Sequence, residues 1–336
     1  MELSDRIKAF ERLGTQLKGL SPSDREVLAM GAKSENAWFT DESVRQAVSG
    51  IAFMLEPNSL KQWLGSYAIV NSQPKKVGVA MAGNIPLVGF HDLLCIVLSG
   101  HIAVVKLSSQ DQYLMRQIIQ WLYEIDPKLR ERIKIEERLN HVDAIIATGS
   151  DNTARYFEYY FRNIPRIIRK NRSSCAVIMG EESPEEISKL GIDIFSYFGL
   201  GCRNVSKIYL PDGYEINNLM EPIESFQPVI HHNKYVNNYD YRKSIFLVNR
   251  QPHYDNGFLL LIENSSVVSP ISVVHFEYYA TLQDLDEKIA AQKEKIQCVV
   301  SAQGWYKGSV PFGKAQLPDP WDYADQVDTM QFLLSI

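Results

Sequence analysis

Among the residues of this chain that could do covalent chemistry, Cys202 has the most suitable surroundings. It follows Gly199-Leu200-Gly201 and precedes Arg203-Asn204. Glycines let the backbone take positive φ and approach a ligand closely. A following helical turn would offer unpaired N–H groups, which with the Arg203 cation favour a thiolate. A cysteine so placed also fits a small buried hydrophobe, and the other three fit that description well. Cys95 lies within the apolar run 93–98, Cys175 stands ahead of Ala176-Val177-Ile178 and Cys298 ahead of Val299-Val300. His231-His232 suggests a metal, but adjacent side chains diverge and no cysteine or carboxylate stands at ligand spacing beside them. A loop is expected there, and no metal site.

The elements that must position Cys202 read as an α/β protein. Residues 1–65 place Ile7, Phe10, Leu13 and Leu17 at helical spacing, and Ser21-Pro22-Ser23-Asp24 has the chemistry to cap a second helix. From residue 76 a strand at 77–81 leads through Ala82-Gly83-Asn84-Ile85-Pro86 into a long apolar helix ending at Gly100. A strand at 102–106, a helix near 110–124, a strand at 144–147 and a helix after Gly149-Ser150 complete a βαβαβα order. That order predicts a parallel sheet with ligands at the carboxyl ends of its strands. Beyond residue 169 the texture changes to shorter strands, at 175–179, 207–210, 244–249 and 273–275, which predicts a second α/β domain carrying Cys202.

Composition bounds the possibilities. A chain of 336 residues, 45% hydrophobic, has the length for about two packed domains. A net charge of −5 without long charged runs argues against nucleic acid or an anionic membrane as partner. The longest apolar stretch, 87–105, contains His91, Asp92, Ser99 and His101 and would span a bilayer badly. Four cysteines without CxxC spacing suggest no disulfide framework, and charged residues interrupt the opening residues where a secretory signal would stand, so a cytoplasmic location is expected.

Several motifs, in order, resemble the aldehyde dehydrogenase superfamily and, within it, the LuxC-type acyl-CoA reductases. Ala82-Gly83-Asn84-Ile85-Pro86-Leu87 resembles the P-W-N-F-P loop, residues 100–108 the G-N-x-V-V-x-K-P-S strand and turn, and Thr148-Gly149-Ser150 the T-G-S turn. Gly201-Cys202 is similar to the nucleophile loop, Ser269-Pro270-Ile271 to G-P-V, and Pro311-Phe312-Gly313 to P-F-G-G. The phrase around Cys202 and the ending, residues 322–333, resemble the LuxC-type branch most. The first 65 residues contribute little to the likeness.

The resemblance implies an aldehyde-dehydrogenase-like fold: a helical region at 1–65, an NAD(P)-binding domain at 66–168, a catalytic domain at 169–310 and a C-terminal return segment at 311–336. It implies that Cys202 attacks an acyl-CoA or acyl-protein thioester, that Asn84 and the Cys202 N–H form the oxyanion hole, and that reduced nicotinamide releases the aldehyde. Lys106, Ser108 and Ser109 would meet the adenosine ribose, and Gly149 and Ser150 the pyrophosphate. Ser109 stands where many NAD-preferring relatives carry a glutamate, so NADPH is admissible, with NADH possible. A homo-oligomer is expected. Two departures matter. Lys170 occupies the place of the glutamate that activates hydrolytic water in acid-forming relatives, within the basic cluster Arg169-Lys170-Arg172, which suits a CoA or cofactor phosphate or a solvated surface. Ser266 stands where a glutamate meets the nicotinamide ribose, with Glu263 displaced from it by three residues. The aromatic residues Tyr156, Phe157, Tyr159, Tyr160 and Phe161 fit an acyl channel or a core helix. Two alternatives stay open: reduction of another activated acyl group such as an acyl phosphate, and a catalytically silent acyl-CoA-binding relative.

Overall fold

The residue types at 21–24 do what capping chemistry requires. Ser21 Oγ accepts from Asp24 N at 3.1 Å, the Asp24 carboxylate accepts back from Ser21 N, and Pro22 occupies the first turn. The computed structural model describes residues 1–69 and 73–336, with Asp151 by its backbone alone. Helices α1 (Leu3–Lys18), α2 (Pro22–Glu35), α3 (Asp41–Met54) and α4 (Pro57–Leu64) fill the N-terminal region. Phe10, Leu13 and Leu17 bury the apolar stripe of α1.

Among the described residues two units separate, residues 1–171 with 317–336, and residues 172–316. In the first, β1 (Lys76–Ala80), α5 (Phe90–Ser99), β2 (Ile102–Lys106), α6 (Gln112–Ile125), β3 (Ile133–Ile135), β4 (Ala144–Thr148), α7 (Asp151–Tyr160) and β5 (Arg166–Arg169) follow the expected alternation. The sheet is parallel, in the order β3-β2-β1-β4-β5. Val77 pairs with Ala103 on one side and Ala144 on the other, so β1 is central and the strand order reverses beside it. Such a switch point opens a crevice at the carboxyl ends of the strands. Gly100, at φ 100°, ends α5, a conformation that an L side chain would strain.

The second unit contains β6 (Ser173–Val177), α8 (Pro184–Phe195), β7 (Val205–Pro211), α9 (Asn217–Met220), α10 (Asn233–Val248), β8 (Tyr254–Asp255), β9 (Leu260–Glu263), β10 (Val273–Tyr279), α11 (Leu282–Ala291), β11 (Ile296–Ser301) and β12 (Val310–Pro311). Its sheet runs β12-β11-β6-β7-β10-β9-β8, parallel except for the antiparallel edge pair β8–β9. Residues 244–249, expected as a strand, are the end of α10 and its cap. Their apolar run is too short to distinguish the two periods. Tyr235, Tyr239 and Phe246 are buried at helical spacing, whereas Val248 is 82% exposed.

The chain ends in α12 (Thr329–Ser335), grouped with the first unit. Trp63 Nε1 donates to Tyr323 Oη at 2.7 Å, Tyr67 Oη donates to Asp328 at 2.8 Å, and Arg169 Nη2 donates to Thr329 Oγ1 at 3.0 Å. The family-like ending therefore packs on the four-helix region and on β5. No described helix is long and apolar enough to cross a membrane.

Candidate active site

Cys202 lies in the turn between α8 and β7. Asn204 N donates to Gly201 O at 3.1 Å, closing the turn around Cys202 and Arg203. Asn204 is 1% exposed and serves as the hub of the turn. Its Oδ1 accepts from Gly201 N at 2.8 Å, and its Nδ2 donates to the carbonyls of Asp193, Ile194 and Ser196 at 3.0, 3.3 and 2.8 Å. Those carbonyls belong to the last turn and cap of α8, where a helix leaves acceptors unsatisfied. One side chain thus completes the helix and fixes the turn.

The carbonyl of Cys202 accepts from Ser174 Oγ at 3.1 Å. Ser174, fully buried in β6, also accepts from Cys298 N at 3.2 Å and lies 3.1 Å from Cys298 Sγ. The expectation that Cys298 is a core residue is therefore corrected. It is half-buried, and a single hydroxyl links it to the Cys202 turn. Cys95 and Cys175 are fully buried, as expected, and burial pushes both thiols up, away from a thiolate at neutral pH.

The approach to Cys202 is strained. Tyr197, Phe198 and Gly199 take φ of 51°, 58° and 78°, three consecutive left-handed residues of which only one is glycine. Each non-glycine residue costs roughly 1–2 kcal/mol in that conformation. Packing holds them: Tyr197 is buried, and the Phe198 ring lies 4.3 Å from that of His232 and 6.2 Å from that of Tyr235. His232 thus contributes an aromatic contact, and among the described residues no group of three or more His, Cys, Asp or Glu side chains could hold a metal.

In the first unit the other candidates share one edge of the sheet. Asn84 lies in the loop after β1, Lys106 ends β2 opposite Ala80, and Gly149 and Ser150 follow β4. The loops touch: a Cβ on Gly83 would collide with Ser108 Oγ, which explains the glycine. Ser108 starts the turn into α6, accepting at Oγ from Gln110 N at 3.3 Å. Ser109 and Lys106 are exposed. Leu87, at φ 59°, donates its N–H to Asp111 Oδ2 at 2.7 Å, and burial pushes the Asp111 carboxyl up to about 8. Ser150 caps α7, accepting from Thr153 N at 3.3 Å. Gly149 N donates to Arg169 O at 3.2 Å, so the free backbone donors at this place are those of the first turn of α7. Asn84 belongs to the first unit and Cys202 to the second.

Arg169, Lys170 and Arg172, expected as one basic cluster, separate. Arg169 is buried and pairs with Asp92 at 2.6 Å, Lys170 pairs with Glu158 at 3.2 Å, and Arg172 donates to Ile296 O at 3.3 Å. Alternation along β5 turns Arg169 inward, and Lys170, just past the strand, is exposed. The aromatic residues of α7 also divide. Phe157 and Phe161 pack on the core, whereas Tyr156, Tyr159 and Tyr160 are 63–73% exposed. Ser266 N is bound to Asn264 Oδ1 at 2.8 Å, and Glu263 ends β9 at the surface. Sequence reasoning missed Asn204, Ser174 and Asp193. The signal available, for Asn204 alone, was a short amide side chain between the cysteine and the strand at 205–211.

Residues 8–218 match the family described as acyl-CoA reductase (LuxC). The match includes most of the N-terminal helices, which the motifs beginning at residue 82 do not reach. A long-chain acyl-protein thioester reductase of Aliivibrio fischeri is 24% identical over 209 residues, 51% of this chain and 43% of that protein, so this chain spans less than half of that relative's length. The aldehyde dehydrogenase of Bacillus cereus, solved with NAD+, shares the fold with a TM-score of 0.63 at 13% identity, covering 90% of this chain and 72% of that one. The Mycobacterium tuberculosis aldehyde dehydrogenase complexed with NAD+ gives 0.65 at 11%, over 90% and 73%. At such identities the likeness carries the fold, which is aldehyde-dehydrogenase-like, as the motifs imply.

Proposed function

The chain belongs to the acyl-CoA reductase (LuxC) family, and from that premise we propose that it reduces an acyl-CoA or acyl-protein thioester to the aldehyde, with NADPH as the favoured reductant and NADH admissible. The Cys202 thiolate attacks the thioester carbonyl, and the carbonyl π electrons pass to oxygen, where the Asn84 amide and the Cys202 N–H stabilise the charge. Collapse of that adduct expels the donor's thiolate and leaves the acyl group on Cys202. The cofactor, when bound, supplies a hydride to the acyl carbon. The second oxyanion then collapses, the C–S bond breaks, the aldehyde leaves, and Cys202 is again a thiolate.

The cofactor fits the residues present. Lys106 offers an exposed cation at a strand end, Ser109 puts no carboxylate near a ribose phosphate, and the first turn of α7 offers N–H donors. In this reading residues 66–168 serve the nicotinamide and 169–310 the acyl group. The observation that carries the reading is the braced, partly exposed turn of Cys202, set against the deeply buried thiols of Cys95 and Cys175. Lys170, ion-paired to Glu158, supports an enzyme without a base for hydrolytic water at that position.

The test is mass spectrometry after incubation with a series of acyl-CoA chain lengths, followed by NADPH. An acyl adduct on the Cys202 peptide, discharged as aldehyde when NADPH is added, is expected. Acyl-CoA binding without an adduct would make the chain a silent binder, and an adduct formed only from acyl phosphate would change the donor class.

A further inference from the structure

We infer that Asp193 is a positioning residue for Cys202, holding residues 313–315 where Arg203, the neighbour of the nucleophile, closes on them. The inference rests on the reading of Cys202 as the acyl carrier. Asp193, near the end of α8, is 0% exposed. Its Oδ2 accepts from Gly313 N at 2.7 Å and its Oδ1 from Ala315 N at 3.0 Å. Its main-chain carbonyl accepts from Asn204 Nδ2 at 3.0 Å, and Arg203 Nη1 donates to Ala315 O at 3.5 Å. A closed path therefore runs from the Cys202 turn through Asn204 to Asp193, across its carboxylate to 313–315, and back through Arg203. Gly313, at φ 79°, turns the segment so that both N–H groups face the carboxylate.

A carboxylate is an expensive way to satisfy two buried N–H groups unless its charge matters. Among the described residues no cation forms an ion pair with Asp193. The ionisable groups on the surrounding elements are Glu185, Glu186 and Lys189 on α8, Tyr197 after it, Cys202 and Arg203 on the turn, Lys207 and Tyr209 on β7, Glu221, Glu224 and His231 on the segment after α9, and Lys314 beside the bound amides. None of them shifts the Asp193 carboxyl. Burial pushes it up to about 7, against the pull of the two amide bonds. Ionised, Asp193 accepts from both N–H groups. Protonated, one of its oxygens becomes a hydroxyl, a weaker acceptor, and that hold loosens. The path around Cys202 should therefore tighten as pH rises through neutrality.

The sign of the stability effect separates positioning from mere support. A carboxyl raised in the folded state favours folding most below its unfolded pKa, and that contribution is lost as pH rises through about 7. Wild-type protein should therefore become less stable across the same range in which Cys202 becomes better presented. The experiment uses the whole chain. Iodoacetamide alkylation is read on the Cys202 peptide from mildly acid to alkaline pH, with thermal unfolding and steady-state kinetics in parallel, for wild type, Asp193→Asn and Arg203→Met. Expected is a wild-type alkylation profile with a step near neutrality separate from the thiol's own. Asp193→Asn should lose that step, lower kcat up to about 10²-fold with KM little changed, and be no less stable at alkaline pH. Arg203→Met should flatten the step by opening the return leg of the path. A wild-type profile without the step, or an Asp193→Asn profile like wild type, overturns the inference. If Asp193→Asn fails to fold, the wild-type and Arg203→Met profiles decide. A step erased by Arg203→Met in a protein that never takes an acyl group would leave the positioning standing and remove the acyl-carrier reading.

Discussion

The loop of Asn84 and the turn of Cys202 each join strained backbone to a buried aspartate, Asp111 directly through Leu87 and Asp193 through Asn204, and they differ in how many amides the carboxyl serves. Asp111 takes one N–H, from Leu87, and its Oδ1 has no hydrogen-bond partner among the described residues. Asp193 takes two, from Gly313 and Ala315. Each amide bond stabilises the charged form, and Asp111 also feels the Glu35 carboxylate, so burial raises Asp111 to about 8 and Asp193 only to about 7. At neutral pH the Asn84 loop is therefore braced mostly by a neutral acid and the Cys202 turn by a group on the edge of ionising. The loop assigned to hold an oxyanion is braced by a carboxyl that burial keeps mostly uncharged at neutral pH. The turn assigned to present a thiolate is tied through a titrating group.

The comparison breaks most visibly if Asn84 proves to be a loop residue. Asn84→Ala should lower kcat by roughly 10²–10³ with little change in thioester binding, the scale of losing one oxyanion donor. A change confined to KM would return Asn84 to a structural role and leave Cys202 alone in the chemistry.

Asn204→Ala tests the other side. It would strand Gly201 N and the carbonyls at the end of α8, each buried group costing about 1–3 kcal/mol, so that about 2–4 kcal/mol of stability should be lost after relaxation. Chemical denaturation should show the loss, and activity should fall beyond what the unfolded fraction explains. A stable Asn204→Ala variant would show that Ser174 alone holds the turn. Asn204 illustrates what the sequence can and cannot tell. Periodicity and capping signals made the parallel sheet and the N-terminal helices legible, because these depend on neighbours along the chain. Asn204 is joined to α8 and Asp193 to residues 313–315, contacts that no local spacing encodes. The end of α10 differs from the strand expected there for a related reason: six apolar or polar residues suit either period, and only Tyr235 and Tyr239 upstream decide.

A smaller effect should separate the cofactors. Ser109→Glu places a carboxylate on an exposed position after β2, where it would repel a ribose 2′-phosphate and be indifferent to a hydroxyl. Apparent affinity for NADPH should fall by about 1–2 kcal/mol relative to NADH, a discount that allows for solvent screening. Equal changes in both KM values would move the ribose away from Ser109, and with it the reading of Lys106.

The smallest effect is the sharpest test of the two braces. Asp111→Asn keeps a carbonyl for Leu87 N–H and removes only a charge that is mostly absent at neutral pH, so activity there should change by less than about 1 kcal/mol equivalent. Stability should diverge with pH. The raised Asp111 carboxyl favours folding at acid pH, and wild type loses that contribution as pH rises toward about 8, whereas the amide has nothing to titrate. Denaturation midpoints of the two proteins should therefore coincide in the ordinary carboxylate range and separate in alkali, with Asp111→Asn the more stable. The same substitution at Asp193 should lower activity instead, because there the second oxygen has an amide to hold. If Asp111→Asn costs as much activity as Asp193→Asn, the neutral brace has a role beyond holding Leu87, and its unmatched Oδ1 is where that role should be sought.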